Sequence, residues 1–263
     1  MAIFLQHSPG ADAAGTSANA PSGHKLLRTK LIGSAILALS LLPALPASAE
    51  KQQRTGKARV RNLPDIEATP SGQKAFDQEF NLDSSAGISN TSFDYGAGAG
   101  WNIGISLLNA QFYSGLGTAS AFQPDLLFNL EKHWLFGDSQ LIAGNQSGAG
   151  ILPQAAVFMH YAYLDAQQHL DAWDIDIDIG SYYANAALAG QRSVGAHVNL
   201  EIPVADSLRL NADYLTGHNS VGAATFKLIY PLPQHWQIAA GVQIPNLPGN
   251  GEYIALCGFY WRQ

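Results

Sequence analysis

The stretch Trp173 to Tyr183 reads WDIDIDIGSYY. Three aspartates, Asp174, Asp176 and Asp178, alternate with Ile175, Ile177 and Ile179, and Gly180 follows. Calcium loops also space carboxylates two apart and also favour a glycine. Such a loop must fold tightly so that its oxygens converge on one ion. β-Branched residues in strict alternation favour an extended backbone instead. Extended, side chains two apart stand about 6.5–7 Å from one another on one face, too far for three carboxylates to share an ion. The segment therefore reads as a β-strand with one oily face and one wet face.

The same period recurs. From Ser193 to Ile202, Val194, Ala196, Val198, Leu200 and Ile202 oppose Gly195, His197, Asn199 and Glu201. Leu208, Leu210, Ala212 and Tyr214 oppose Arg209, Asn211 and Asp213. Phe226, Leu228 and Tyr230 oppose Thr225 and Lys227, and Trp236 to Ile244 alternates in the same way. No stretch shows a 3.6-residue apolar period over several turns. The alternation places strands over 74–82, 86–95, 101–113, 124–133, 138–145, 153–164, 169–182, 193–203, 207–216, 221–230, 235–244 and 252–262. The first two are the least regular, and without them the count is ten. An even count puts both chain ends on one side of a closed antiparallel sheet. PVADS, PLPQ, DAQQ and FGDS read as short turns on that side. SGLGTASAFQ, NQSGAGILP, NAALAGQ, TGHNS and PNLPGNGE read as loops, longer on average, on the other.

Composition agrees with an all-β chain. Apolar residues make up 47% and charged residues only 13%, with 26 Gly and 2 Met. An ordinary soluble domain carries roughly 25% charged residues. The one cysteine, Cys257, excludes an intrachain disulfide framework and a multi-cysteine metal site.

Residues 1–49 read as a leader followed by a secretory signal peptide. Lys25, Arg28 and Lys30 precede an apolar run from Leu31 to Leu45, and Ala47-Ser48-Ala49 is a small-residue cleavage site. Removing three of 14 basic and one of 20 acidic residues leaves 11 against 19, a formal net charge of −8. Residues 50–73 read as a flexible polar tail holding five of those 11 basic residues. From Asn62 onward six basic residues face 18 acidic ones. A nucleic-acid binder needs a basic face, which this body lacks.

A β-sandwich would also alternate, but its exposed face would be rich in Lys, Glu and Thr. Here the wet face is modest, and aromatics such as Trp101, Trp134, Trp173, Trp236 and Trp261 cluster at strand ends. Aromatic residues at the edges of an apolar band suit a membrane interface. Strands of about 9–11 residues suffice to cross a bilayer, and in lipid only a closed sheet satisfies every backbone group. Residues 74–263 are therefore expected to form a closed antiparallel transmembrane β-barrel of about 12 strands.

The last strand, EYIALCGFYWRQ, alternates Tyr253, Ala255, Cys257, Phe259 and Trp261 up to the C-terminus. In this the chain resembles the bacterial outer-membrane β-barrel proteins of porin and transporter-like kind. That group usually ends in an aromatic residue, and this chain ends in Gln263. The resemblance covers roughly residues 74–263. It implies a place in the outer membrane of a Gram-negative bacterium. It also implies outer-membrane lipids, the barrel-assembly machinery and a small solute as partners.

The wet faces supply the candidate site. Asp174, Asp176, Asp178, His197, Asn199, Glu201, Arg209, Asp213 and Lys227 are expected to line the lumen and contact solute, with acidic groups favouring cations. The same charges could instead form an interior network that fills a barrel with a structural or adhesive role. Ser193 and His197, four apart on one strand, are the seed of a third reading, a membrane-embedded hydrolase, but no nucleophile motif surrounds them. The scattered histidines show no ligand spacing, and GAGAGWN (96–102) is a tight turn rather than a dinucleotide loop. No cofactor, metal or enzymatic activity is expected.

Overall fold

The computed structural model describes residues 69–115, 122–152, 157–247 and 251–263. The leader, the signal segment and the tail up to residue 68 lie outside them. Twelve strands follow in order: β1 (Lys74–Leu82), β2 (Ala86–Gly98), β3 (Trp101–Ser114), β4 (Asp125–Phe136), β5 (Ser139–Gly150) and β6 (Phe158–Leu170), then β7 (Ile175–Ala184), β8 (Ser193–Ala205), β9 (Leu208–Leu215), β10 (Ala223–Pro231), β11 (Trp236–Pro245) and β12 (Ile254–Arg262). A single helical turn, α1 (Ala186–Ala189), lies between β7 and β8. Each strand is antiparallel to its sequence neighbours, and β12 pairs with β1, so the sheet closes without an edge. At the seam Ala75 stands opposite Arg262, and the Gln263 N–H donates to the Lys74 carbonyl at 2.9 Å.

The count settles at 12 rather than ten. One rim carries short turns. Three of them have only two residues, among them Ala99–Gly100 between β2 and β3, where both residues have positive φ, 50° and 75°. This is the backbone that lets a two-residue hairpin match the twist of its strands. The opposite rim carries the longer loops.

Three turn assignments made from sequence change. The residues of DAQQ (165–168) are paired within β6, and the reversal comes later, at residues 171–174. The Gly-rich stretch NQSGAG (145–150) belongs to β5, because β4 and β6 both pair along it and offset its weak strand propensity. NAALAGQ contains α1, capped by Asn185, whose Oδ1 accepts from the Leu188 N–H at 3.1 Å, and ended by Gly190 with φ 78°.

Alternation along each strand sends apolar side chains outward. Phe128, Ile105, Val194, Leu228 and Val242 are exposed on the outer face. Glu79, Asp165, Asp178, His197, Asn211 and Lys227 are buried on the inner one. A one-residue slip would exchange the two sets, so the pattern pins the register. An apolar surface this continuous exceeds what soluble monomers carry, and its complement is lipid. All five tryptophans lie at the short-turn rim: Trp101, Trp134, Trp236 and Trp261 at strand ends, and Trp173 in a turn. Trp236 and Trp261 face each other across β11 and β12, with ring centroids 6.5 Å apart. Lys132 Nζ sits 5.2 Å from the Trp101 ring and 5.8 Å from the Trp134 ring. Such a belt of amphipathic rings and a cation marks a membrane interface. Cys257 is exposed on the outer face beside Phe259 and Trp261, as its parity predicts.

Candidate functional site: the charged lumen

Even spacing along neighbouring strands delivers the wet faces of β6 to β10 to one wall of the barrel interior. Nearest the short-turn rim, Asp176 of β7 stands opposite His169 of β6 and Glu201 of β8. Its Oδ1 is 2.8 Å from His169 Nδ1. Arg209 of β9 reaches across to this group. Its Nε donates to Glu201, and its NH2 lies 3.4 Å from Asp176 Oδ2. Its NH1 donates to Asp174 Oδ2 at 2.8 Å.

Asp174 is therefore part of the constellation, but not as a strand residue. It occupies the turn before β7 with φ 53° and an exposed side chain. The extended reading of WDIDIDIG holds for Asp176 and Asp178 and fails for Asp174. The chain must reverse between His169 and Ile175, and aspartate tolerates the left-handed backbone that the reversal requires.

One layer deeper, Asp178 is buried opposite Gln167 and Asn199. Asn199 Nδ2 donates to Asp178 Oδ2 at 3.4 Å, and Asn199 Oδ1 accepts from Asn211 Nδ2 at 2.9 Å. Asn211 in turn stands opposite Lys227, whose Nζ lies 5.8 Å from the centre of the Tyr260 ring. Deeper still, His197 is held between two carboxylates, 3.4 Å from Asp165 and 2.6 Å from Asp213. Gly180 makes room for this trio, because a Cβ there would overlap Asp165 Oδ1. The nine residues picked from sequence thus gather on one wall, in layers.

The opposite wall holds groups that sequence reading passed over. Arg262 pairs with Asp77 across the β1–β12 seam. Tyr260 donates to Glu79 Oε2 at 3.3 Å, Asn129 donates to Asp94 Oδ1 at 3.2 Å, and Tyr163 donates to Glu131. Their parity on alternating strands was the available signal. Asp165 was hidden by the reading of DAQQ as a turn.

An apolar cluster fills part of the interior beside these polar layers. Leu127, Ile142, Met159, Tyr161, Tyr163 and Tyr182 form one buried cluster, joined by Leu188 of α1. The α1 turn is fastened there: Ser220 N–H donates to the Ala189 carbonyl at 3.1 Å, and Gln191 Nε2 to the His218 carbonyl at 2.7 Å. Ser193 and His197 both face inward, four residues apart along an extended strand. At roughly 3.3 Å per residue that is about 13 Å, so they form no dyad. Among the described residues no group of His, Cys, Asp and Glu has the geometry to hold a metal ion.

No protein-family model matches the sequence, and comparison with characterised proteins finds no significant sequence match. In fold, the chain is similar to the crystal structure of an outer membrane channel from Pseudomonas putida F1, with a TM-score of 0.52 at 10% identity over 77% of this chain and 100% of that one. It also aligns with the NanC porin, with a TM-score of 0.49 at 8% identity over 72% of this chain and 99% of that one. Closed topology and the outward apolar band describe a transmembrane β-barrel, and the first of these likenesses shows that it shares the fold of that channel.

Proposed function

We propose that this barrel, seated in the outer membrane of a Gram-negative cell, passes a small solute and favours cations. One observation carries the reading. Among the described strands the inward-facing carboxylates are Asp77, Glu79, Asp94, Asp125, Glu131, Asp165, Asp176, Asp178, Glu201 and Asp213, ten in all. The inward-facing Lys and Arg are Arg209, Lys227 and Arg262, three in all. Low-dielectric walls concentrate the field of such an imbalance and raise the local concentration of counter-ions. The residues proposed to meet solute are those of the layered wall, Asp174, Asp176, Asp178, His197, Asn199, Glu201, Arg209, Asp213 and Lys227.

Conductance in planar bilayers under a KCl gradient tests the reading. Wild-type channels should show a cation-selective reversal potential, and Asp176→Asn/Asp178→Asn/Glu201→Asn channels a potential closer to zero. Anion selectivity in the wild type would end the proposal. A second reading rests on the buried aromatic and aliphatic cluster of the interior, which suits a filled barrel with a structural role. A folded protein that inserts and never conducts would support that reading instead.

A further inference from the structure

Among the described residues a few polar side chains interrupt the outward apolar face. One such group has the composition of a nucleophilic site. Asn145 and Ser147 are two apart on β5, so both point outward, and the register sets His160 of β6 directly opposite Ser147. Ser147 Oγ lies 2.8 Å from His160 Nδ1 and 2.7 Å from Asn145 Oδ1. Asn145 Nδ2 lies 3.2 Å from the same His160 nitrogen. The hydroxyl thus has one proton and two acceptors within reach, and one acceptor is a base.

The imidazole is held in place. Its ring stacks on Phe158 with centroids 6.2 Å apart and planes at 15°, and Tyr183 flanks it at 5.8 Å. The His160 backbone N–H donates to Asn185 Oδ1 at 3.2 Å, and Asn185 also caps α1. The loop-rim fastening therefore fixes the strand that carries the base. Ser147 lies three residues short of Gly150, where β5 ends at the loop rim. Phe128, directly opposite Ser147 on β4, is 63% exposed, and Phe158 is 61% exposed. At roughly 2.5 Å per residue along the barrel axis, the hydroxyl sits about 8 Å below the rim. Counted from the aromatic belt, where Trp134 stands opposite Leu141, Ser147 is six residues or about 15 Å away, which places the hydroxyl among lipid chains in the half of the apolar band nearer the longer loops. A second outward polar group, Gln78, Ser89 and Thr91, is hydrogen-bonded among itself but contains no base.

We propose that Ser147, His160 and Asn145 form a site on the outside of the barrel that hydrolyses acyl esters of membrane lipids. The reading is independent of the lumen and needs only that the outer face meets lipid. Ser147 Oγ attacks the ester carbonyl carbon while its proton passes to His160 Nδ1. The tetrahedral intermediate collapses, the bond from carbonyl carbon to alcohol oxygen breaks, and the imidazolium protonates the departing oxygen. Water then attacks the acyl-Ser147 ester, giving one proton to His160. The fatty acid leaves, and Ser147 regains its hydroxyl with that proton. No redox partner is required. Asn145 is a positioning residue that holds hydroxyl and ring at hydrogen-bonding distance.

The test uses the full chain folded in zwitterionic detergent, with a heat-modifiable gel shift as the check of folding. Two substrates are supplied separately, phosphatidylethanolamine in mixed micelles and purified lipopolysaccharide, and released fatty acid is read by mass spectrometry. The wild type should release fatty acid from one of them, which identifies the lipid source. A fluorophosphonate probe should add its mass at Ser147. Ser147→Ala should abolish both signals in a barrel that still shows the gel shift. His160→Ala should lower release at least a hundredfold. Asn145→Ala should lower kcat about tenfold with KM unchanged. Ser193→Ala, on the inner face, should leave release as in the wild type. Folded protein that releases no fatty acid from either lipid and takes no probe at Ser147 would overturn the proposal. So would release that survives Ser147→Ala.

Discussion

Leu228→Arg places a charge on the oily face at a depth that can be worked out from the register. Leu228 points outward and is 46% exposed, between inward-facing Lys227 and Ile229. Across the sheet it stands opposite Leu210 and Ala240. Four residues of β11 separate Ala240 from Trp236 in the aromatic belt. A rise of about 3.3 Å per residue at a tilt near 40° gives about 2.5 Å per residue along the membrane normal. Leu228 therefore lies about 10 Å below the belt, near the middle of an apolar band about 25 Å tall. An arginine at that depth costs about 2–4 kcal/mol, falling to about 0–1 kcal/mol near the interface. Leu228→Arg should thus weaken folding into a bilayer by about 3 kcal/mol, roughly a hundredfold in the folding equilibrium. Tyr230→Arg, only about 5 Å from the belt, should cost about 1 kcal/mol. Urea titration of folding into phospholipid vesicles, followed by tryptophan fluorescence and heat-modifiable gel migration, measures both. Equal costs at the two depths, or none at Leu228, would refute the assignment of the outer face to lipid.

Three further outcomes follow from the same geometry. Gly180→Ala should destabilise the barrel by about 1–3 kcal/mol in the same titration, because the new Cβ overlaps Asp165 Oδ1 inside a packed layer. Arg262→Gln removes a guanidinium from Asp77 at the closing seam. Since the two side chains keep 23% and 14% of their exposure, the loss should be about 1–2 kcal/mol, read as a lower urea midpoint. Cys257 stands opposite Ala240 and Phe80 at mid-band level, so a charged, water-soluble maleimide should fail to label it in vesicles and label it fully after unfolding in urea. Labelling of the folded, vesicle-bound protein would place that strand face in water.

Most of the barrel was legible because the decisive signal is local. Period-two alternation runs through most of the strand length, broken at bulges such as that at Asn109 of β3 (φ 57°), and parity alone told which of Asp178 and Ile179 faces inward. Turns were less legible. DAQQ carries typical turn residues, yet it lies inside β6, because pairing with β5 and β7 satisfies its backbone groups. Asp174 was drawn into the strand for the converse reason. Its alternation with isoleucine continues past the point where the chain must reverse, and residue type does not record where a neighbouring strand ends.

The charged wall was half legible. Its members on β7 to β10 were found by parity, whereas Asp165 and His169 of β6 were missed along with their misplaced turn. The outward group Asn145, Ser147 and His160 left no contiguous motif. Ser147 and His160 are 13 positions apart and meet only because the β5–β6 register sets them opposite each other.

By itself, then, the amino-acid order determined which side of each extended segment is oily and that the sheet must close, since both follow from side-chain period and the cost of burying backbone groups in lipid. Only the closed sheet decided who faces whom. Inter-strand register is set by hydrogen bonding between segments distant in the chain, and both the His197 carboxylate pair and the Ser147 hydroxyl on its imidazole cross from one strand to another.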